Sequence, residues 1–331
     1  MGQHIAPITC KPWSLNGLSE RLIVSHYENT YGAAVRSLNA IRDTLNALDL
    51  VAAPPYQIRA LKREELAAMG SVALHELYFG GLGGDGAAVF TGSGAGSKIP
   101  APVAAALEQQ FGTIAAWRQA FVALALALSG GSGWVLLSYS RRDGRLYNQI
   151  AFDHSQAMMD TVPVLALDMY EHAYHLDFGV NVPAYIDAFM RNIDWTAVGD
   201  RLMEASSHGS PRRGNVTDDP LPSVSVEELS AEIVKDERVQ VIDARPKHYF
   251  SRSTDMMQGA IWLDPDRVDE WSKNLSADAP VIVYCAYGYH VGRGVTAALR
   301  ERGFDAKYVR GGLSAWYAAG GERALKPQSK A

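Results

Sequence analysis

The chain has 331 residues, 47% hydrophobic and 20% charged, with a formal charge of −5. That length predicts about two domains. No apolar run approaches the ~18 residues of a membrane span, and the acidic balance argues against broad nucleic-acid binding.

Two cysteines, Cys10 and Cys285, exclude a disulfide framework and a thiolate zinc site. No charged-then-apolar leader precedes Cys10, Lys11 and Pro12, so the expectation is a soluble, cytoplasmic chain. Leu22, Ile23, Tyr27, Tyr31, Val35, Leu38, Ile41 and Leu45 recur at helical steps and predict a helix over 19–48. Pro54 and Pro55 end it. A second helix is predicted over 62–79, before a glycine-rich loop at 80–86, with two more over 101–110 and 113–128. Strands over 134–140 and 146–152 flank Arg141, Arg142, Asp143 and Gly144, a hairpin signal. Helices resume near Tyr170, Pro183 and Trp195, which makes this part an α+β domain.

Residues 206–225 are dominated by Ser, Gly, Pro and Asp and show no amphipathic period, the composition of a linker. Beyond it, helices over 226–234, 292–302 and 313–319 alternate with strands over 239–243, 281–284 and 306–309. That pattern predicts a mostly parallel, covered sheet. The expected fold class is two domains, an α+β domain over 1–205 and an α/β domain over 226–326, joined by the linker.

Asp168 and His172 stand at i and i+4, the spacing that brings two side chains to one face of a helix start. Taken alone, such a pair fits a capped helix turn better than a metal site. His26 lies in the first predicted helix and His75 in the second, each among apolar neighbours. Buried imidazoles need partners for their ring nitrogens, and one shared metal ion would satisfy three of them.

The text around these residues resembles the iron/manganese superoxide dismutases along nearly the whole first part. The resembling residues are His26-Tyr27, His75, Phe111-Gly112, Ala116-Trp117, Gly131-Ser132-Gly133-Trp134 and Asp168-Met-Tyr-Glu-His172-Ala-Tyr174. The resemblance implies that His26, His75, Asp168 and His172 bind one Fe or Mn ion and that the chain disproportionates superoxide to oxygen and hydrogen peroxide. Three imidazoles and a carboxylate leave an open position for a small anion. It also implies that Trp134 walls the site, and that His154, with Gln149 the poorer alternative, hydrogen-bonds the metal-bound solvent. Glu171 implies a homodimer or higher homo-oligomer, because in the family it bridges to a ligand histidine of the other subunit.

Four positions depart from the family pattern. Ala34 replaces the gateway tyrosine, Thr30 replaces a histidine, His175 replaces a tyrosine and Tyr170 replaces the signature tryptophan. They predict an intact metal site with a rewired gateway and subunit interface.

In the second part the buried-strand run at 280–284 ends on Cys285, followed by Ala-Tyr-Gly288-Tyr-His290 and a helix. A cysteine at such a turn faces backbone N–H groups and a helix N-terminus, which favour the thiolate and would cradle a persulfide. A lone cysteine there is otherwise a small buried hydrophobe. Val241-Ile-Asp243-Ala-Arg245-Pro, Gly259-Ala-Ile261, Cys285 with its strand, and Arg310-Gly311-Gly312-Leu-Ser-Ala-Trp316 resemble single-domain rhodaneses over residues 223–321. The resemblance implies that Cys285 accepts sulfur from a sulfane-sulfur donor, with Asp243 and Arg245 structural. The loop carries no arginine or lysine, so an organic persulfide is as suitable a donor as thiosulfate. Val291 stands where a phosphatase needs arginine. The alternative for the whole chain is a redox or sulfur sensor whose metal site turns over slowly or not at all.

Overall fold

Ser19 opens the first helix: its hydroxyl accepts the Leu22 N–H, satisfying one of the free amides of a helix start. The computed structural model describes residues 2–83, 99–207, 221–235 and 239–326. Residues 208–220 of the expected linker, and 84–86 of the expected loop, lie outside the described residues. The described chain forms two compact units, one between Thr9 and Gly214, the other made of the residues up to Ile8 together with those from Leu221 onward.

In the first unit the predicted helix over 19–48 is present but not uniform. It runs as α1 (Glu20–Ser25), a π-helical stretch His26–Tyr31, and α2 (Gly32–Ala47). The Gly32 N–H reaches back to the Tyr27 carbonyl, so the turn is wider than an α-turn. Such widened turns are rare and concentrate at functional sites. Helix α3 (Pro55–Gly80) starts before the expected residue 62, because a proline suits the first turn of a helix. Helices α4 (Ala101–Phe111) and α5 (Ile114–Ala127) follow.

Strands β1 (Trp134–Ser140), β2 (Arg145–Ala151) and β3 (Thr161–Asp168) make an antiparallel sheet in the order β2-β1-β3. The third strand is absent from the sequence reading because Pro163 interrupts its pattern. The proline is tolerated on an edge strand, where the register slips between Leu137 and Ser138. The short α6 (His175–Phe178), then α7 (Val182–Arg191) and α8 (Trp195–Ser206), complete the unit. Its core holds Trp117, Phe121, Trp134, Leu136, Tyr185 and Phe189, all fully buried.

In the second unit, β4 (Ser223–Val224), α9 (Val226–Lys235), β5 (Gln240–Asp243), α10 (Lys247–Arg252), β6 (Asp255–Met257) and β7 (Ile261–Trp262) come first. They precede α11 (Val268–Trp271), β8 (Val281–Tyr284), α12 (His290–Glu301), β9 (Ala306–Val309), α13 (Gly312–Ala318) and β10 (Arg323–Leu325). Five strands form a parallel sheet ordered β4-β9-β8-β5-β7, while β10 and β6 pair antiparallel. The α+β then α/β organisation is as expected. The strand run 281–284 is buried at every position, as a central parallel strand covered on both faces must be. Ile242, Val281, Val283, Val295, Leu299 and Trp271 pack into one apolar cluster between sheet and helices.

Asp243 ends β5 and is fully buried against Arg245, whose guanidinium donates to both carboxylate oxygens, to Ser253 Oγ and to the Asp255 carbonyl. A buried charge persists only when paired and hydrogen-bonded in this way.

Candidate metal centre and thiol site

His26 comes from the π-helical stretch, His75 from α3, Asp168 from the last position of β3, and His172 from a tight 3-10 turn over Glu171–Ala173. Their four ligand atoms all lie within 4.8 Å of one another. Asp168 Oδ2 is the hub: His172 Nε2 lies 3.1 Å from it, His26 Nε2 3.2 Å and His75 Nε2 3.6 Å. Ligands about 2 Å from a shared transition-metal ion stand at such separations.

The helical spacing expected of Asp168 and His172 is corrected by the structure. The two residues are not on a helix; the chain turns after β3, where the Tyr170 N–H donates to Asp168 Oδ1 at 2.9 Å. This side-chain-to-backbone turn, not a helical face, folds His172 back onto the carboxylate.

The residues present fit a cation. His26, His75 and Asp168 are buried, and the Nε2 atoms of both histidines have no hydrogen-bond partner among the described residues. Buried polar nitrogens left so are rare without an ion or water to meet them. His75 Nδ1 donates to the Ser71 carbonyl, 2.7 Å away and one turn earlier on α3, which leaves the Nε2 lone pair facing the cluster. Burial pushes the His75 imidazole down to about 3 and lowers that of His26, keeping both neutral. Burial alone would raise the Asp168 carboxyl, but the hydrogen bond and charge of His172 hold it well below the usual carboxylate range. Neutral imidazole and ionised carboxylate are the forms a metal ion requires.

Around the cluster, the Trp134 indole N–H donates to His154 Nδ1 at 3.0 Å. With Nδ1 accepting, the proton of a neutral His154 sits on Nε2. The ring stacks on Tyr170 at 4.8 Å, and its centroid is 6.1 Å from that of His75. Gln149, the alternative, lies on β2, with its side-chain oxygen buried and no hydrogen-bond partner among the described residues. At the departing positions, Thr30, Ala34 and Tyr170 are half-buried and His175 is exposed; the retained Glu171 is exposed as well.

Three supports of the cluster escape a reading of local pattern. Tyr185 on α7 donates to the Asp168 carbonyl at 2.7 Å, with its oxygen 3.4 Å from the Tyr78 hydroxyl. Tyr31 donates to Glu76 at 2.8 Å, tying the π-helical stretch to α3 beside His75. Gly70 on α3 meets the His154 loop so closely that a Cβ there would stand 1.8 Å from the His154 carbonyl oxygen. Glycine inside a helix costs about 1 kcal/mol relative to alanine, and this contact is the reason for it.

In the second unit Cys285 directly follows β8 and precedes α12; its side chain is buried. A Cβ at Gly292, in the first turn of α12, would stand 3.3 Å from the Cys285 sulfur. The loop is pinned from one side by the start of α13: the Leu313 N–H donates to the Cys285 carbonyl and the Ser314 N–H to the Ala286 carbonyl. Gly288, at φ +74°, lies against the Gly311 and Gly312 amides with no room for a Cβ. The hydroxyls of Tyr287 and Tyr249 are 2.9 Å apart. Cys10 in the first unit is also buried, which pushes its thiol up to about 12.

Residues 100–201 match the model of the iron/manganese superoxide dismutase C-terminal domain, and residues 225–319 match that of the rhodanese-like domain. An iron superoxide dismutase of Cupriavidus metallidurans is 50% identical over 202 residues, spanning 61% of this chain and 97% of that protein. One from Aquifex pyrophilus is 33% identical over 201 residues, spanning 59% and 89% respectively. A manganese superoxide dismutase of Haloferax volcanii is 27% identical over 189 residues, spanning 57% and 88%. With half of the 202 aligned residues identical to those of a relative covered almost end to end, the chain belongs to the iron/manganese superoxide dismutase family and continues into a rhodanese-like region.

Proposed function

We propose that the first unit disproportionates superoxide at a single iron or manganese ion held by His26, His75, Asp168 and His172. The observation that carries the reading is the convergence of these four ligand atoms within 4.8 Å around a buried carboxylate. When bound, the ion supplies one-electron oxidation and reduction, so that two superoxide anions and two protons become oxygen and hydrogen peroxide. The chain's own part is to hold the imidazoles neutral, exclude bulk water and present a proton. Trp134, fully buried, walls the site and accounts for the orientation of His154. We assign His154 Nε2–H as the group that would donate a proton to a substrate oxygen. Ala34 leaves the gateway without a phenol, which makes proton delivery the step most exposed to rate loss.

Glu171 is exposed and available to a second copy of the chain, which agrees with a homodimer. No described helix is long and apolar enough to cross a membrane. Both cysteines are free thiols, which agrees with a reducing, cytoplasmic setting. In the second unit Cys285 is read as a sulfur carrier: its thiolate attacks the outer sulfur of a sulfane donor, the donor's sulfur–sulfur bond breaks, and a persulfide remains on Cys285. That reading is supported by the rhodanese-like match and by the sulfur's place over the first turn of α12.

The test is metal analysis alongside inhibition of superoxide-driven dye reduction by the whole chain. Metal at one ion per chain with strong inhibition is the expected result. Stoichiometric metal with no inhibition sinks the dismutase reading and leaves the sensor. For Cys285, one added sulfur atom by mass spectrometry after treatment with a sulfane donor is expected; an untouched thiol refutes the carrier role.

A further inference from the structure

The residues before Thr9 are tied at three points within the second unit. The Ile5 N–H donates to Glu227 Oε1 at 3.0 Å, and His4 Nδ1 lies 3.4 Å from the other oxygen of the same carboxylate, on α9. The Ile8 carbonyl accepts the Tyr289 hydroxyl at 2.7 Å. Pro7 lies against Gly311, where an added Cβ would stand 3.4 Å from the Pro7 Cα. Ile5 and Ile8 are buried, whereas His4 and Pro7 point outward.

Two of these three attachments are to the walls of the Cys285 loop. Tyr289 is a loop residue, and Gly311 immediately precedes the α13 amides that hold the Cys285 and Ala286 carbonyls. We propose that residues 4–8 form a strap, rooted on Glu227, that positions the Cys285 loop by clamping Tyr289 and Gly311. The function of the clamp rests on the sulfur-carrier reading: a cradle of loop amides stabilises a terminal sulfur only if it is held in place before the sulfur arrives. Tyr289 and Glu227 act through the loop and touch no sulfur, so they are positioning residues.

Tyr289→Phe keeps the ring and removes only the hydroxyl. Glu227→Met keeps the side-chain length, lies on α9 away from the loop, and removes the acceptor of the Ile5 N–H at the root of the strap. Two measurements on the full-length chain read the loop directly: hydrogen–deuterium exchange of the amides at 285–290, and the rate of Cys285 alkylation by iodoacetamide. Both variants are expected to speed both readouts about fivefold, the factor that one hydrogen bond of ordinary net strength supports. The double variant gains little beyond either one, because both release the same strap. If Glu227→Met leaves the loop unchanged, whatever Tyr289→Phe does, the strap does not transmit and the proposal is overturned. A wild-type Cys285 that refuses sulfane sulfur sinks the carrier reading alone, since exchange and alkylation report the clamp without any sulfur transfer.

Discussion

Replacing Gly70 by alanine tests how His154, the proposed proton donor, is held. In the structure the new methyl would stand 1.8 Å from the His154 carbonyl oxygen and 2.7 Å from its carbonyl carbon. A carbon–oxygen contact relaxes at about 3.3 Å, so the His154 loop must retreat by about 1.5 Å. That retreat breaks the 3.0 Å bond from Trp134 to His154 Nδ1 and frees the ring to adopt the wrong tautomer. A displacement of that size at a group which must meet the reacting atoms costs on the order of 10–100-fold in turnover. The overpacking itself costs about 1–3 kcal/mol of stability. His75 stays on the same helix with its Ser71 anchor, so metal content should stay near wild type. The assay is superoxide-driven dye reduction normalised to bound metal, run beside His154→Ala and His154→Gln. Full metal with full turnover in Gly70→Ala, or a slow Gly70→Ala beside a fast His154→Ala, would refute the reasoning. Loss of metal from Gly70→Ala would show that α3, not the loop, had yielded.

Three further outcomes are expected. His75 is held down to about 3 by burial, below its unfolded value of 6.5, so its contribution to stability is present above pH 6.5 and lost as the pH falls toward 3. The metal-free protein should therefore lose about 2 kcal/mol from this group between pH 7 and 5; chemical denaturation at both pH values measures it, and His75→Gln flattens the dependence. Arg245→Leu leaves the Asp243 carboxylate buried without its partner and should destabilise the second unit by about 3–5 kcal/mol; calorimetry that finds under 1 kcal/mol would contradict a paired, buried charge. Cys10, pushed by burial from 9.0 up to about 12, should alkylate at pH 8 about a thousandfold more slowly than a free thiol, because only the thiolate reacts. Peptide mapping after timed labelling reads this, and rapid labelling of the folded chain would show that Cys10 is not enclosed.

Much of both units was legible from the chain. Periodicity found the first helix, α3, α4 and α5, because amphipathic spacing depends only on neighbours in sequence. The β1–β2 hairpin was announced by its turn, and β8 by an unbroken apolar run. Three features were misread or missed for the same reason. The π-helical widening at His26–Tyr31 leaves hydrophobic spacing almost unchanged, β3 carries a proline that only an edge position tolerates, and the turn at Asp168–His172 copies the spacing of a helix without being one.

The sequence alone singled out the four side chains that the fold brings together and the sulfur that stands at a strand end, since identity and order of residues are enough to recognise both patterns. Only the tertiary structure decided what holds those groups in place. Gly70 meets His154, Tyr185 meets Asp168, and Glu227 meets the strap across separations along the chain that no local pattern encodes. Such partners are chosen by packing: a missing Cβ, a phenol at the right depth or a carboxylate beside a free amide gains meaning only when the fold brings its counterpart within about 3 Å.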